Sequence, residues 1–202
     1  MEKSQLQSAL ANPGLVLSVV CAILRGFLFK LELMLCGPRK VSIGKGLRIY
    51  SKLYIRGPGT VIIGNYFSSA RNIFKETTIL THHPDAMVRI GDGNYFGGVH
   101  ISCVGKVEIG NNNLLGNTVI LDSDIIPHLN MKVDPEWMEK WSKNVVIGNN
   151  TWLAVNTVVL KGVTLGDECV LSAGSVAAAN AEPRSLLLGV PARKIKSTRE
   201  EA

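Results

Sequence analysis

Four histidines, His82, His83, His100 and His128, are the side chains best suited to exchanging a proton near neutral pH. His128 follows Leu121-Asp122-Ser123-Asp124, so two carboxylates stand shortly before it, at the start of residues 125–145. His100 lies in GGVHISC, and His82 and His83 lie in THHPDAM, which reads as a loop bulging from the main course of the chain. Such a histidine can act as a general base, touch an acceptor or fill an irregular corner, and residue type alone leaves these open. No zinc site is expected: His82 and His83 would point to opposite sides of a strand, and His100 and His128 are too far apart to form a close pair. Cys21, Cys36, Cys103 and Cys169 are widely spaced with no CxxC, which reads as reduced cytosolic thiols rather than a zinc ribbon or a disulfide framework. With no P-loop and no GxGxxG after a strand, nucleotide hydrolysis and a Rossmann cofactor are unsupported.

The composition narrows what can position these groups. A chain of 202 residues, 46% hydrophobic and 19% charged, suits one domain and is too apolar for a disordered polymer. Twenty glycines and a core of Ile, Val and Leu point to β structure with many tight turns. The net charge of +6 is unevenly placed: residues 1–60 carry nine Lys/Arg against two Asp/Glu, and residues 61–202 carry thirteen against fourteen. Without a nucleic-acid motif, this basic N-terminal region fits an anionic membrane surface better than nucleic acid.

Residues 1–40 form a separate apolar segment. Asn12-Pro13 is a helix start, and Gly37-Pro38 ends the helix at about Cys36. Gly14 to Leu24 is too short an apolar run to span a bilayer, and Arg25, Lys30 and Glu32 break up the rest of the helix. The foremost expectation is a helix lying in the membrane interface; packing on the protein's own body or a sister subunit, and a true span, are the alternatives.

The remainder is organised by a repeat. From residue 147 the chain reads IGNNTW, LAVNTV, VLKGVT, LGDECV, LSAGSV, so Ile147, Leu153, Val159, Leu165 and Leu171 recur every six residues. Four positions after each stands Thr151, Thr157, Val163, Cys169 or Ser175. A period of six fits neither a helix nor a free strand, but it fits a chain that turns a corner every six residues, with the aliphatic residue inward and the small one at the corner. Ile43, Ile49 and Ile55, Ile63 and Ser69, Ile90 and Phe96, then Ile109, Leu115 and Leu121 continue the phase. Roughly six coils stacked at about 4.8 Å make a prism near ~30 Å long. Residues 125–145 have no hexad pattern and read as an inserted loop, in which PEWMEKW would form a helical turn with Trp137 and Trp141 on one face. Residues 197–202 form a tail.

These hexads, with GVTLGDECVLSAGSV followed by LLLGVPARKIK, resemble the left-handed parallel β-helix of the hexapeptide-repeat acyltransferases over residues 41 to about 196. They are most similar to the galactoside, maltose, nodulation-factor and polysaccharide O-acetyltransferases. The left hand of the coil comes from this resemblance, not from the spacing. It implies a catalytic histidine on the protruding loop, here His128, with Asp122 or Asp124 orienting it or contacting the acceptor. The motif departs from the related Asp-Ser-Asp-x-His-Pro, because Ile126 occupies the histidine place and His128 comes two residues later. His100 is the second candidate base, on a coil where relatives carry acceptor contacts, and Trp152, His82 and His83 would border the acceptor. The resemblance places acetyl-CoA, as co-substrate, in a groove between neighbouring subunits of a homotrimer. Ala154, Gly162, Ala173 and Gly174 would line the pantetheine path, with Lys161 near the groove and Arg193, Lys194 and Lys196 at the phosphates. The same fold supports the gamma-class carbonic anhydrases, but their three-histidine zinc site is not matched here.

The activity expected is therefore transfer of an acetyl group from acetyl-CoA to a hydroxyl of a sugar, a glycan or lipid-linked saccharide, on the cytosolic face of a membrane. Two rivals stand beside it: N-acetyl transfer to an amino sugar or nucleotide sugar, and a noncatalytic β-helix scaffold.

Overall fold

The computed structural model describes residues 13–36, 40–70, 76–124 and 134–198. Helix α1 (Pro13–Cys36) begins on a proline, whose missing N–H costs nothing at a first helical position, and stops directly before Gly37-Pro38. From Val41 the chain winds in coils, laying one short strand in turn on each of three parallel faces. The first face has six strands, from Val41–Ile43 through Lys106–Ile109 to Thr164–Leu165. The third also has six, from Leu53–Arg56 through His100–Cys103 to Val176–Ala177. The second has eight, from Arg48–Ile49 to the hairpin of Ser185–Gly189 and Ala192–Ser197, whose pairing is the only antiparallel one among the named strands.

The register explains why a six-residue period specifies this fold. Ile43, Ile63, Ile90, Ile109, Ile147 and Leu165 align on the first face. Ile49, Ser69, Phe96, Leu115, Leu153, Leu171 and Leu187 align on the second. Ile55, Ile79, Ile101, Ile120, Val159 and Ala177 align on the third. Three columns of apolar side chains meet along the axis, so each coil buries its inward face only against its neighbours. The corner residues Thr151, Thr157, Val163, Cys169 and Ser175 are all at most 1% exposed, as the hexad phase expects.

One column departs from the sequence phase. The hexad spacing puts Leu121 inward, but Ile120 fills the core at 0% exposure while Leu121 is half-buried beside Ser102. The corner between Leu115 and the next inward residue is one residue shorter than in the later coils, which advances the phase by one.

The corners between first and second faces show the local chemistry of the turn. Gly46, Gly93, Asn112 and Asn150 take positive φ there (71°, 70°, 56° and 54°), the region that glycine and asparagine enter most readily. Beside them runs a ladder of side chains: Asn65, Asp92, Asn111 and Asn149 each donate their own N–H to an Oδ1, that of Asp92, Asn111, Asn149 and Asp167 in turn, at 2.7–2.8 Å. Each side chain thus satisfies the backbone of the coil next to it.

Candidate active site

The corner between third and first faces gathers several of the chemistry-bearing residues. Asp122 is fully buried, and its carboxylate accepts from the Val104 N–H at 2.8 Å and the Gly105 N–H at 2.7 Å, with the Cys103 thiol donating at 3.4 Å. Burial pushes its pKa above the ordinary carboxylate value, against the pull of these donors. The Cys103 thiol is pushed up as well, chiefly by burial and then by the Asp122 charge, which disfavours its thiolate near neutral pH. On the same corner, one coil away from Ser102, the His82 Nε2 lies 2.8 Å from the Ser102 Oγ. Burial lowers the His82 pKa, and the Asp122 charge opposes this only in part.

The inserted segment leaves and returns at this corner. Ser123 and Ser142 form an antiparallel bridge, the Lys143 N–H donates to the Asp122 carbonyl at 2.8 Å, and the Asp124 N–H donates to the Trp141 carbonyl at 3.2 Å. Lys161 pairs with the Asp124 carboxylate, donates to the Trp141 carbonyl at 3.4 Å and lies over the Trp141 ring. Helix α2 (Pro135–Trp141) is the helical turn expected from PEWMEKW, and Asp134 caps it by accepting from the Trp137 N–H at 2.9 Å. His128 lies outside the described residues, as does Ile126.

The remaining candidates separate along the prism. His100 projects from the third face, in register with Thr78 and Val119, and together with Glu76 these line one shallow pocket. His83 is half-buried, with its Nδ1 3.7 Å from an Asp85 carboxylate oxygen. Trp152 stands on the second face, 52% exposed, between Leu114 and Val170. Ala154, Ala173 and Gly174 share the corner between second and third faces, joined by the Gly174 N–H donating to the Val155 carbonyl at 3.0 Å. At Gly174, φ is +71° and a Cβ would meet nothing within 4 Å, so an approaching chain would find open backbone there. Lys161 and Gly162 belong to the other corner, beside Lys143. The acyl-donor candidates therefore fall on two edges flanking the third face. Arg193, Lys194 and Lys196 lie on the last strand of the second face, and Lys194 pairs with Glu182 at 3.6 Å.

Sequence reasoning put His82 on an acceptor rim and missed its bond to Ser102. That contact links residues of different coils, and its only trace in sequence is the coil period. Among the described residues, no three His, Cys, Asp or Glu side chains converge as a metal site.

Comparison with known proteins places this geometry. Residues 144–178 match the family model for the bacterial transferase hexapeptide, six repeats. WbbJ of Escherichia coli strain K12, provisionally named a lipopolysaccharide biosynthesis O-acetyl transferase, is 29% identical over 161 residues, 73% of this chain and 77% of the relative. Galactoside O-acetyltransferase of the same organism is 32% identical over 51% of each chain, so the chain spans about half of that relative's length. Among solved structures, AntD from Bacillus cereus, an N-acyltransferase crystallised with dTDP and coenzyme A, superposes with a TM-score of 0.61 at 20% identity, covering 85% of this chain and 89% of that one. In its repeat, its stacked coils and its relatives, the chain is similar to the hexapeptide-repeat transferases, the sugar O-acetyltransferases among them.

Proposed function

We propose that this protein transfers an acetyl group from acetyl-CoA to a hydroxyl of a sugar, a glycan or lipid-linked saccharide, at the cytosolic face of a membrane. The observation that carries this reading is the similarity to WbbJ, which extends over most of both chains. In the proposed step the acceptor oxygen attacks the thioester carbon while His128 takes its proton; the C–S bond then breaks and the proton passes to the departing sulfur. Asp124, at the base of the insertion, orients the imidazole or the acceptor, and Asp122 acts by holding the corner beneath it. His100 is the second candidate base. The pantetheine arm runs beside Ala154, Ala173 and Gly174 in a groove completed by a neighbouring subunit of a homotrimer. Lys161 and Gly162 stand on the other edge of the third face, away from that path in the same subunit, Arg193, Lys194 and Lys196 meet the phosphates, and Trp152, His82 and His83 border the acceptor. The coil winds left-handed in this reading.

Thiol release from acetyl-CoA, screened against sugars and polyprenyl-linked saccharides, tests it. His128→Ala is expected to lower turnover by about 10²–10⁴. Unchanged turnover removes His128 as base, and no release with any acceptor favours the scaffold. A second reading, N-acyl transfer to an amino nucleotide sugar, draws support from the likeness to AntD, which has been crystallised with dTDP-4-amino-4,6-dideoxyglucose and coenzyme A. Release only with an amino sugar nucleotide selects it.

A further inference from the structure

Helix α1 is apolar on two opposite sides, and only one of them is used. Ala22 is fully buried, Phe29 packs against the core, and a Cβ at Gly26 would lie 2.4 Å from the Leu47 carbonyl oxygen, so this side rests directly on the first coil. Lys30 donates to the Gly44 carbonyl, and the Arg25 guanidinium lies 3.5 Å from the Tyr50 carbonyl. The opposite side presents Leu17, Val20, Leu24, Phe27, Leu31 and Met34, which are 39–75% exposed.

Their spacing of three and four residues would suit a partner helix, but the flanking positions argue for a broader medium. In a paired helix those positions carry charges that set the partner; here Ile23, Leu28 and Leu35 extend the apolar stripe to about 140° of the helix at ~100° per residue. By length and composition α1 could cross a membrane, one of the alternatives that its sequence left beside an interfacial helix. Its contacts oppose a span, because the middle of the helix is held on the prism and crossing would strip those contacts away.

The charges around this helix select the surface. From α1 to residue 60 the described chain carries Arg25, Lys30, Lys40, Lys45, Arg48, Lys52 and Arg56 against Glu32 alone. A cleft of about 770 Å³ opens between α1 and residues 49–56, with Phe29 and Leu53 inside, Arg25 and Arg56 lining it against Glu32, Lys52 paired with Glu76 at 3.1 Å, and Leu28 joining it to the exposed stripe. An apolar stripe continuous with a cationic cleft is what an anionic amphiphile presents in reverse. We propose that α1 lies in the plane of an anionic lipid surface, burying its outward side among acyl chains and holding an anionic lipid headgroup in the cleft at Arg25 and Arg56. This stands whether or not the acyl-transfer reading holds.

Sedimentation of the full chain with vesicles decides it. Vesicles of phosphatidylglycerol in phosphatidylcholine are expected to bind the protein, and phosphatidylcholine alone at least roughly tenfold more weakly. Combining Leu24→Glu, Phe27→Glu and Leu31→Glu, none of them on the packed side, should abolish binding. Arg25→Gln with Arg56→Gln should lower affinity for the anionic vesicles roughly tenfold or more. Should a variant fail to fold, the two wild-type vesicle measurements still decide. Equal binding to both vesicle types overturns the anionic-headgroup site. No binding to either, with a larger assembly in analytical ultracentrifugation that the triple variant dissolves, overturns the lipid assignment and gives the surface to a second copy of the chain.

Discussion

Replacing Asp122 by alanine tests whether one buried carboxylate holds the corner beneath the insertion. In the native chain its oxygens accept from the Val104 and Gly105 N–H groups at 2.8 and 2.7 Å, in a site with no exposed surface. Alanine leaves the buried Val104 donor and the half-buried Gly105 donor unmatched, at about 1–3 kcal/mol each, or ~2–6 kcal/mol together as an upper range. The raised pKa shows that the charged carboxylate already bears a desolvation cost at neutral pH, which alanine removes. The net loss is therefore expected in the lower part of that range, about 2–3 kcal/mol, which for a chain of this size lowers the melting temperature by roughly 4–12 °C. Asp122→Asn keeps one acceptor oxygen and should lose about half as much. Thermal unfolding followed by circular dichroism at pH 7, on both variants and the parent, reads the order directly. An alanine variant that melts with the parent would refute the reasoning, since the two N–H groups would then not depend on this carboxylate. A fall in turnover for Asp122→Asn out of proportion to its loss of stability would assign the carboxylate a chemical role besides the structural one.

The packing sets three further outcomes. Leu153→Ala empties a fully buried position between Leu115 and Leu171 and should cost about 2–5 kcal/mol, read from urea midpoints; a change near zero would mean that adjacent coils close the gap. Gly26→Leu forces side-chain atoms against the Leu47 carbonyl, so α1 should lift from the body and limited proteolysis between helix and prism should quicken while the β signal persists; unchanged cleavage contradicts the observed packing. His82 has a lowered pKa in the folded chain, so the unfolded chain takes up the proton more readily below about pH 6.5. Its contribution to stability is complete above that pH and fades as pH falls through the lowered folded value. Melting temperatures of the parent should therefore drop more between neutral and mildly acid pH than those of His82→Gln, and parallel curves would exclude His82 as the source.

Much of the architecture was legible because the repeat unit is also the folding unit. Ile147, Leu153, Val159, Leu165 and Leu171 mark the inward positions at a fixed spacing, and the corners between them are small for steric reasons that a single hexad already displays. The helix bounds were legible from Pro13 and Gly37-Pro38, and the helical turn from PEWMEKW. The phase slip at Leu121 was not, because a corner shortened by one residue leaves no mark except in the pairing of Ile120 with Ile101 and Val159.

The side-chain chemistry divides in the same way. Sequence alone determined which residue types were available: four histidines, the Asp122-Ser123-Asp124 run, and a basic, apolar N-terminal region. Only the tertiary structure decided that Asp122 turns inward to the Val104 and Gly105 backbone, that Lys161 reaches Asp124 at the neck of the insertion, that His82 meets Ser102, and that the candidate donor residues flank one face from two different corners. It also decided which side of α1 is spent on the prism and which is exposed. The physical reason is the coil itself. Contacts along the axis join residues some twenty positions apart, and which of them meet depends on the summed lengths of all the corners between, a quantity that no single hexad contains.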